Sequence, residues 1–375
     1  MKAIRQHVAG IEALWAHYGL HRCLSRAAAE VLDASGVDQF LLPAASWHAP
    51  LESVLTQHQS AAEYLAYRRR CPPPFFFALG NPPVPPRHWV IGAAAEAREL
   101  RSGIFRYFSS LEVPLGYAAP RWLQPPTGSG ARGHRHFSAV KDFSSHQGDL
   151  KLLYEPSRFC WAFALVRAAS LESTSPETFW TLLESWCTAN PPFATVPWKC
   201  SYEVAHRVLA TSFALHAFWN HPSTTSQRIA LAMGLLAMSA RRIDTLLGLR
   251  RHSQVSDHAI IEASALFTIA LLFPEFRGAR RWERRARRTL EAEIRSAVLS
   301  DGTSLFHSLT YHREVMQAYT WSSRLASLHR CPLSEGLTTR LERALNALLE
   351  LQDPVSGEVP NSGYNDSTEL YRLNG

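Results

Sequence analysis

Four stretches of this 375-residue chain set side chains that can move protons or hold charge at short, helix-compatible spacings. Asp149-Leu150-Lys151 leads to Glu155-Pro156-Ser157-Arg158-Phe159, with Glu155 and Arg158 at i, i+3. Trp186-Cys187-Thr188-Ala189-Asn190-Pro191 is followed by Trp198-Lys199-Cys200-Ser201-Tyr202-Glu203, and Arg207 stands one helical turn beyond Glu203. Ser256-Asp257-His258 precedes Glu262 and runs through an apolar stretch to Leu272-Phe273-Pro274-Glu275-Phe276. Asp301-Gly302 is followed by Ser308-Leu309-Thr310-Tyr311-His312. A tyrosine and histidines near carboxylates can do general acid–base work. Each residue also has an ordinary reading. Glu155 with Arg158, and Glu203 with Arg207, are spaced as structural ion pairs. Asp257 suits a helix N-cap, Tyr311 a hydrogen-bonded core position, and the tryptophans a core. Trp198, in a loop before a helix, is the best exception among them.

Taken together and in this order, these segments resemble the heparinase II/III-like polysaccharide lyases. That family's pattern runs K…WE-x-SRF, then W-x-x-NP…W…R, then NNH-x-x-x-E before L-F-F-P-E, then DG…E-x-S-x-x-YH. The resemblance covers roughly residues 100–370. Gly357-Glu358-Val359-Pro360 to Asn365-Asp366 is similar to the family's join between a helical (α/α) toroid and a C-terminal β-sandwich.

The resemblance implies β-elimination at a uronic acid, the work of a carbon–oxygen lyase with no organic cofactor and no metal. The C5 proton is weakly acidic because the neighbouring carboxylate opposes further negative charge. A neutralising group must quench that carboxylate so that the enolate-like intermediate is stabilised. A base then takes the proton and an acid protonates the leaving glycosidic oxygen. A tyrosine serves both steps if nearby cations depress its pKa from about 10. By resemblance Tyr311 takes that position, Asp257 stands where the family has its neutralising asparagine, and His258 is the histidine beside it. Arg158, Trp198, Arg207, His312 and Glu262 are the implied substrate-binding residues.

The chain departs from the pattern at three places. The family's Asn-Asn-His is Ser256-Asp257-His258 here, and an ionised Asp257 about 4 Å from a uronate would cost about 4 kcal/mol at an effective dielectric of 20. Phe306 replaces the acid of E-x-S-x-x-YH. The sequence given stops at Gly375, where the β-sandwich that supplies a further histidine would begin, so the expectation is a toroid with that domain largely missing, or one paired with a separate β-sandwich chain.

The elements that must position these residues read as helices. Stretches at 150–171, 199–219, 225–249, 257–272, 278–299, 307–329 and 335–352 have helical periodicity, as does the one opened by Ser175-Pro176-Glu177 as cap, first-turn proline and early acid. In the last of them Leu341, Leu345, Leu348 and Leu349 form an amphipathic stripe. Successive helices joined by short turns imply antiparallel hairpins. Periodicity alone leaves solenoid and toroid open, and the resemblance selects an all-α toroid. Prolines at Cys71–Pro74 and Asn81–Arg87, and the Gly/Pro/Ser-rich stretch 124–133, make 71–148 an extended, loop-rich approach. The domain scheme is 1–100 helical and Pro-rich, 101–352 toroid, 353–375 linker.

Apolar residues make up 46% and charged ones 19%, enough to bury a large core and too few charges for disorder. A net charge of +7 favours an acidic partner, which the resemblance makes an acidic polysaccharide. Seven arginines lie between Arg277 and Arg288; they read as a solvated helix face or a polyanion contact, without a nucleic-acid motif around them. Gly133-His134-Arg135-His136 lacks a carboxylate and reads as a basic loop rather than a metal site. The six cysteines, without CxxC spacing, read as mostly buried thiols. No membrane-length apolar run and no clean export signal are present. The family resemblance implies the periplasm, while residues 1–20 leave a cytoplasmic form open. Three function classes remain, the first two being a lyase and a non-catalytic acidic-polysaccharide-binding or scaffold protein derived from one. A helical solenoid binding nucleic acid through Arg277–Arg288 is a third.

Overall fold

The computed structural model describes residues 36–47, 51–56, 60–126, 135–140, 149–249, 257–366 and 368–372. The expected features at residues 1–20, Cys23, Gly133, His134 and Ser256 lie outside them. Ten longer helices carry the fold: α1 (Ala61–Arg70), α2 (Arg87–Arg101), α3 (Trp161–Ala168), α4 (Ser175–Ala189), α5 (Ser201–Phe218), α6 (Ser226–Leu249), α7 (Asp257–Leu272), α8 (Ala279–Ala297), α9 (Leu309–Leu328) and α10 (Glu335–Leu351). Among the described residues the one sheet is a hairpin, β1 (Ile104–Tyr107) antiparallel to β2 (Leu111–Pro114).

Helices α3, α5, α7 and α9 pack side by side, and α4, α6, α8 and α10 lie against them as a second layer. Sequence explains the division. Every residue of α5 is buried, as is α7 from Ile260 to Leu272, and helices apolar on all sides belong inside. In α8 the buried residues are Ala279, Trp282, Ala286, Leu290, Ile294 and Ala297, one stripe beneath a solvated arginine face. One apolar core runs from Leu42 to Leu370.

Local signals place the ends. Ser60 and Glu63 form a reciprocal capping box at α1, and Ser308 and Ser334 cap α9 and α10 through Tyr311 N and Leu337 N. Three expectations need correcting. Ser175 is the first helical residue of α4, not its cap, which is Thr174. The α10 stripe buries Leu337, Leu341 and Ala344, and Leu349 is 63% exposed. Residues 71–148 are not only loop: α2 and the β-hairpin lie there. The thiols also differ from expectation: among the described residues Cys187 is buried, Cys160, Cys200 and Cys331 are half-buried and Cys71 is exposed.

Candidate functional site

Because successive helices reverse direction, α5, α7 and α9 run the same way and begin at one end of the fold. Their first turns carry Tyr202 and Glu203, Asp257 and His258, and Tyr311, with Glu314 in the second turn of α9. The positive ends of three helices therefore converge where these side chains meet.

Tyr311 is half-buried at the start of α9. Its ring stacks on Tyr364 at 5.9 Å between centroids, and its hydroxyl lies 3.5 Å from Asp366 Oδ2. The same oxygen accepts a 2.8 Å bond from Lys151 Nζ, whose ammonium also sits over the Tyr364 ring at 5.6 Å. Segment 362–366 is pinned to the α9 cap: Ser308 Oγ donates to Tyr364 O at 2.6 Å and Leu309 N to Ser362 O at 3.0 Å. Gly363 permits this. Its φ is +81°, and a Cβ there would stand 2.0 Å from His307 O, so no other residue fits without moving the strap.

Asp257 accepts from His258 N at 2.9 Å, and the His258 ring stacks on Tyr202 at 4.4 Å. Beneath this surface Tyr202 donates to Glu314 at 2.5 Å and meets Thr368 at 2.8 Å, with His206 Nε2 3.2 Å from Glu314. Deeper still, Arg158 binds Glu203 through Nε and Nη2 at 2.5 and 2.9 Å and Glu155 at 2.8 Å.

The electrostatics run against the expectation for Tyr311. Burial, then the negative charges of Asp366 and Asp257, push its phenol up from the ordinary value. Among the groups acting on it, carboxylates dominate. At His258 burial opposes charge, but the Cys200 thiol, Asp257 and Glu262 outweigh it and push the imidazole up.

Of the residues picked from sequence, the structure brings together Tyr311, Asp257 and His258, with Glu262 one turn in, 8% exposed and accepting from the Ser201 hydroxyl. The other four are buried. Arg158 is 6% exposed and held between its two glutamates. Trp198 is fully buried among Trp186, Phe193 and Trp47. Arg207, also fully buried, does not pair with Glu203. It lies 4.3 Å from the Trp186 ring and 5.1 Å from Trp198, donating to Ser157 O and Pro197 O. His312 is one residue, about 100°, round α9 from Tyr311 and points at Ala344 O. The residues that sequence reading missed are Lys151, Tyr202, Glu314, Tyr364 and Asp366. Lys151, Tyr202 and Asp366 stand inside the segments that carried the resemblance.

A profile of the heparinase II/III N-terminus matches residues 155–373, more than half of the chain. The chain belongs to the heparinase II/III family. Its fold is the helical toroid of that family, seen in a heparan sulfate lyase from Pedobacter heparinus (20% identity, TM-score 0.56, covering 80% of this chain and 45% of that one). Two heparinase III structures are similar to it as well, one at 17% identity and TM-score 0.57, covering 81% of this chain and 47% of that one. The other has 15% identity and TM-score 0.57, covering 78% and 45%. The heparinase II/III-type chain described here thus spans less than half the length of these three structures. No curated protein sequence matches it. Among the described residues no helix is long and apolar enough to cross a membrane.

Proposed function

We propose that this heparinase II/III-family chain binds a uronic-acid-containing polysaccharide at the joint end of α5, α7 and α9 and cleaves it by β-elimination. The observation that carries this is the placement of Tyr311 at the start of α9 and of Asp257 and His258 at the adjoining start of α7, whose dipoles favour an anionic sugar. Tyr311 would take the C5 proton and return one to the leaving oxygen. His258, held toward its charged form, would stand against the uronate carboxylate, and Lys151 would supply a second cation once Asp366 yields it.

A purified-protein assay against heparan sulfate, heparin, alginate, hyaluronan and chondroitin tests this through the ultraviolet absorbance of the new 4,5-unsaturated uronate. Signal on one polymer, lost in Tyr311→Phe, supports elimination. The second reading is a non-catalytic glycan-binding protein. It is favoured by the upward push on the Tyr311 phenol, which leaves it protonated at neutrality. Binding by folded protein with silence on every polymer would select it.

A further inference from the structure

Apart from Tyr311, Asp257 and His258, a cavity of about 50 Å³ opens between α2, the β1–β2 turn, α3 and the segment 368–372. By this measure, the space open to the centre of a water-sized sphere, one water needs about 10–15 Å³. The cavity therefore has room for several waters or one small oxyanion. Its walls are unusually charged for their burial, and most of that charge is already matched. Glu155 is held by Arg158 at 2.8 Å and by Phe108 N at 3.0 Å. Glu369 is held by Arg372 at 3.1 Å and by Ser109 Oγ at 3.2 Å. Arg106 is bound through two nitrogens by Glu99.

Arg167 is the exception. Its side chain comes from α3 into the cavity, is 4% exposed, and has neither Nε nor Nη1 hydrogen-bonded. It makes no ion pair among the described residues. A guanidinium cannot shed its proton at any ordinary pH, and a buried cation without a partner is strongly destabilising. The carboxylate that acts on it most is Glu96, from a distance and without a hydrogen bond, and burial pushes the Glu96 carboxyl up from its ordinary value. Arg372 stands in the same wall as a second cation, paired with Glu369 and donating to Ser109 Oγ in the β1–β2 turn.

We propose that this cavity is a binding site for one small oxyanion, a carboxylate, sulfate or phosphate group, seated on Arg167 with Arg372 beside it. The site uses none of Tyr311, Asp257 or His258, so it stands whether or not the chain is a lyase. The group has two possible sources, a free inorganic anion or the charged substituent of an acidic sugar.

The test titrates the protein with sodium sulfate, sodium phosphate and glucuronate at millimolar concentrations, sodium chloride balancing ionic strength. Unfolding midpoint and equilibrium dialysis are the readouts. The expected result is a saturable rise in midpoint over chloride, with one anion bound per chain, absent from Arg167→Met. Glu96→Gln, which removes the opposing carboxylate, is expected to bind about tenfold tighter, an effect that loss of a merely structural arginine would not produce. If Arg167→Met does not fold, Glu96→Gln and the rim variant Arg372→Gln carry the comparison, tighter and weaker respectively. Saturation by sulfate or phosphate identifies a free anion as the occupant, and saturation by glucuronate alone identifies a sugar acid. No rise above chloride with any anion, an equal rise in Arg167→Met, or unchanged affinity in Glu96→Gln would overturn the proposal.

Discussion

The Tyr311 hydroxyl faces Asp366 Oδ2 at 3.5 Å, across 55 residues of chain. A carboxylate so placed stabilises the phenol and opposes the phenolate, and Lys151, bound to the same oxygen, spends its charge on Asp366 rather than on Tyr311. The site thus holds its acid–base candidate protonated for as long as the Asp366 carboxylate faces it.

Asp366→Asn should therefore bring the Tyr311 pKa down. The shift expected from losing one nearby like charge is about one unit. It would be read as the difference in tyrosinate absorbance between Asp366→Asn and Asp366→Asn/Tyr311→Phe, and in the lyase assay as a rising limb moved to lower pH. An unmoved titration would mean that Asp366 does not act on the phenol.

Arg207→Lys should damage stability and leave recognition alone. A lysine keeps the charge but loses the flat stack on Trp186 and Trp198 and the reach to two carbonyls. The expected cost is about 2–4 kcal/mol in urea unfolding. Affinity of the folded fraction for a uronate polymer should stay within about twofold, less than 0.5 kcal/mol. A selective loss of affinity would return Arg207 to the binding surface.

Glu203 sets a pH dependence. Burial opposes its charge, but Arg158 outweighs burial through charge and hydrogen bonding, so the carboxyl lies below the usual range. A group depressed on folding contributes stability above its unfolded pKa, about 4.3 for glutamate, and loses it as pH falls through the folded value. Glu203→Gln should cost about 3–5 kcal/mol at neutrality, because Arg158 loses a buried partner. It should also flatten the acid limb of stability against pH. Urea midpoints from neutral to acid pH check both; parallel curves for the two proteins would contradict the assignment.

The helical layers were legible because apolar periodicity survives in isolation: α5 to α10 begin and end within two residues of the stretches that periodicity predicts. α2 was hidden by its own proline, since Pro86 is the residue before the helix and marks a start where a run of prolines suggests a break. Tyr311, Asp257 and His258 were picked by motif order, and the structure shows only that they lie close together. Arg207 and Trp198 were misplaced because residue type cannot tell a guanidinium caged by indoles from one in a cleft, and only the complete burial of α5 decides it. The meeting of Lys151, Tyr364 and Asp366 is purely tertiary, set by the strap that Gly363 allows against His307.

Asp257 stands where the resemblance to the family implies a neutralising asparagine, and substituting asparagine is the sharpest test of the proposed site. In the structure Asp257 pushes the Tyr311 phenol up and helps hold His258 charged. Asp257→Asn should therefore lower the Tyr311 pKa, lower that of His258, and remove a negative charge from beside the expected uronate. The repulsion relieved is bounded by about 4 kcal/mol for charges 4 Å apart at an effective dielectric of 20. Solvent and salt reduce it, so a gain of about tenfold in affinity for a uronate oligosaccharide, or about 1.4 kcal/mol, is expected. Calorimetric titration at physiological ionic strength, repeated at higher salt, measures it; the gain should shrink as screening grows. Affinity that is unchanged or falls in Asp257→Asn would show that the sugar's carboxylate lies elsewhere, and with it the proton that Tyr311 is proposed to take.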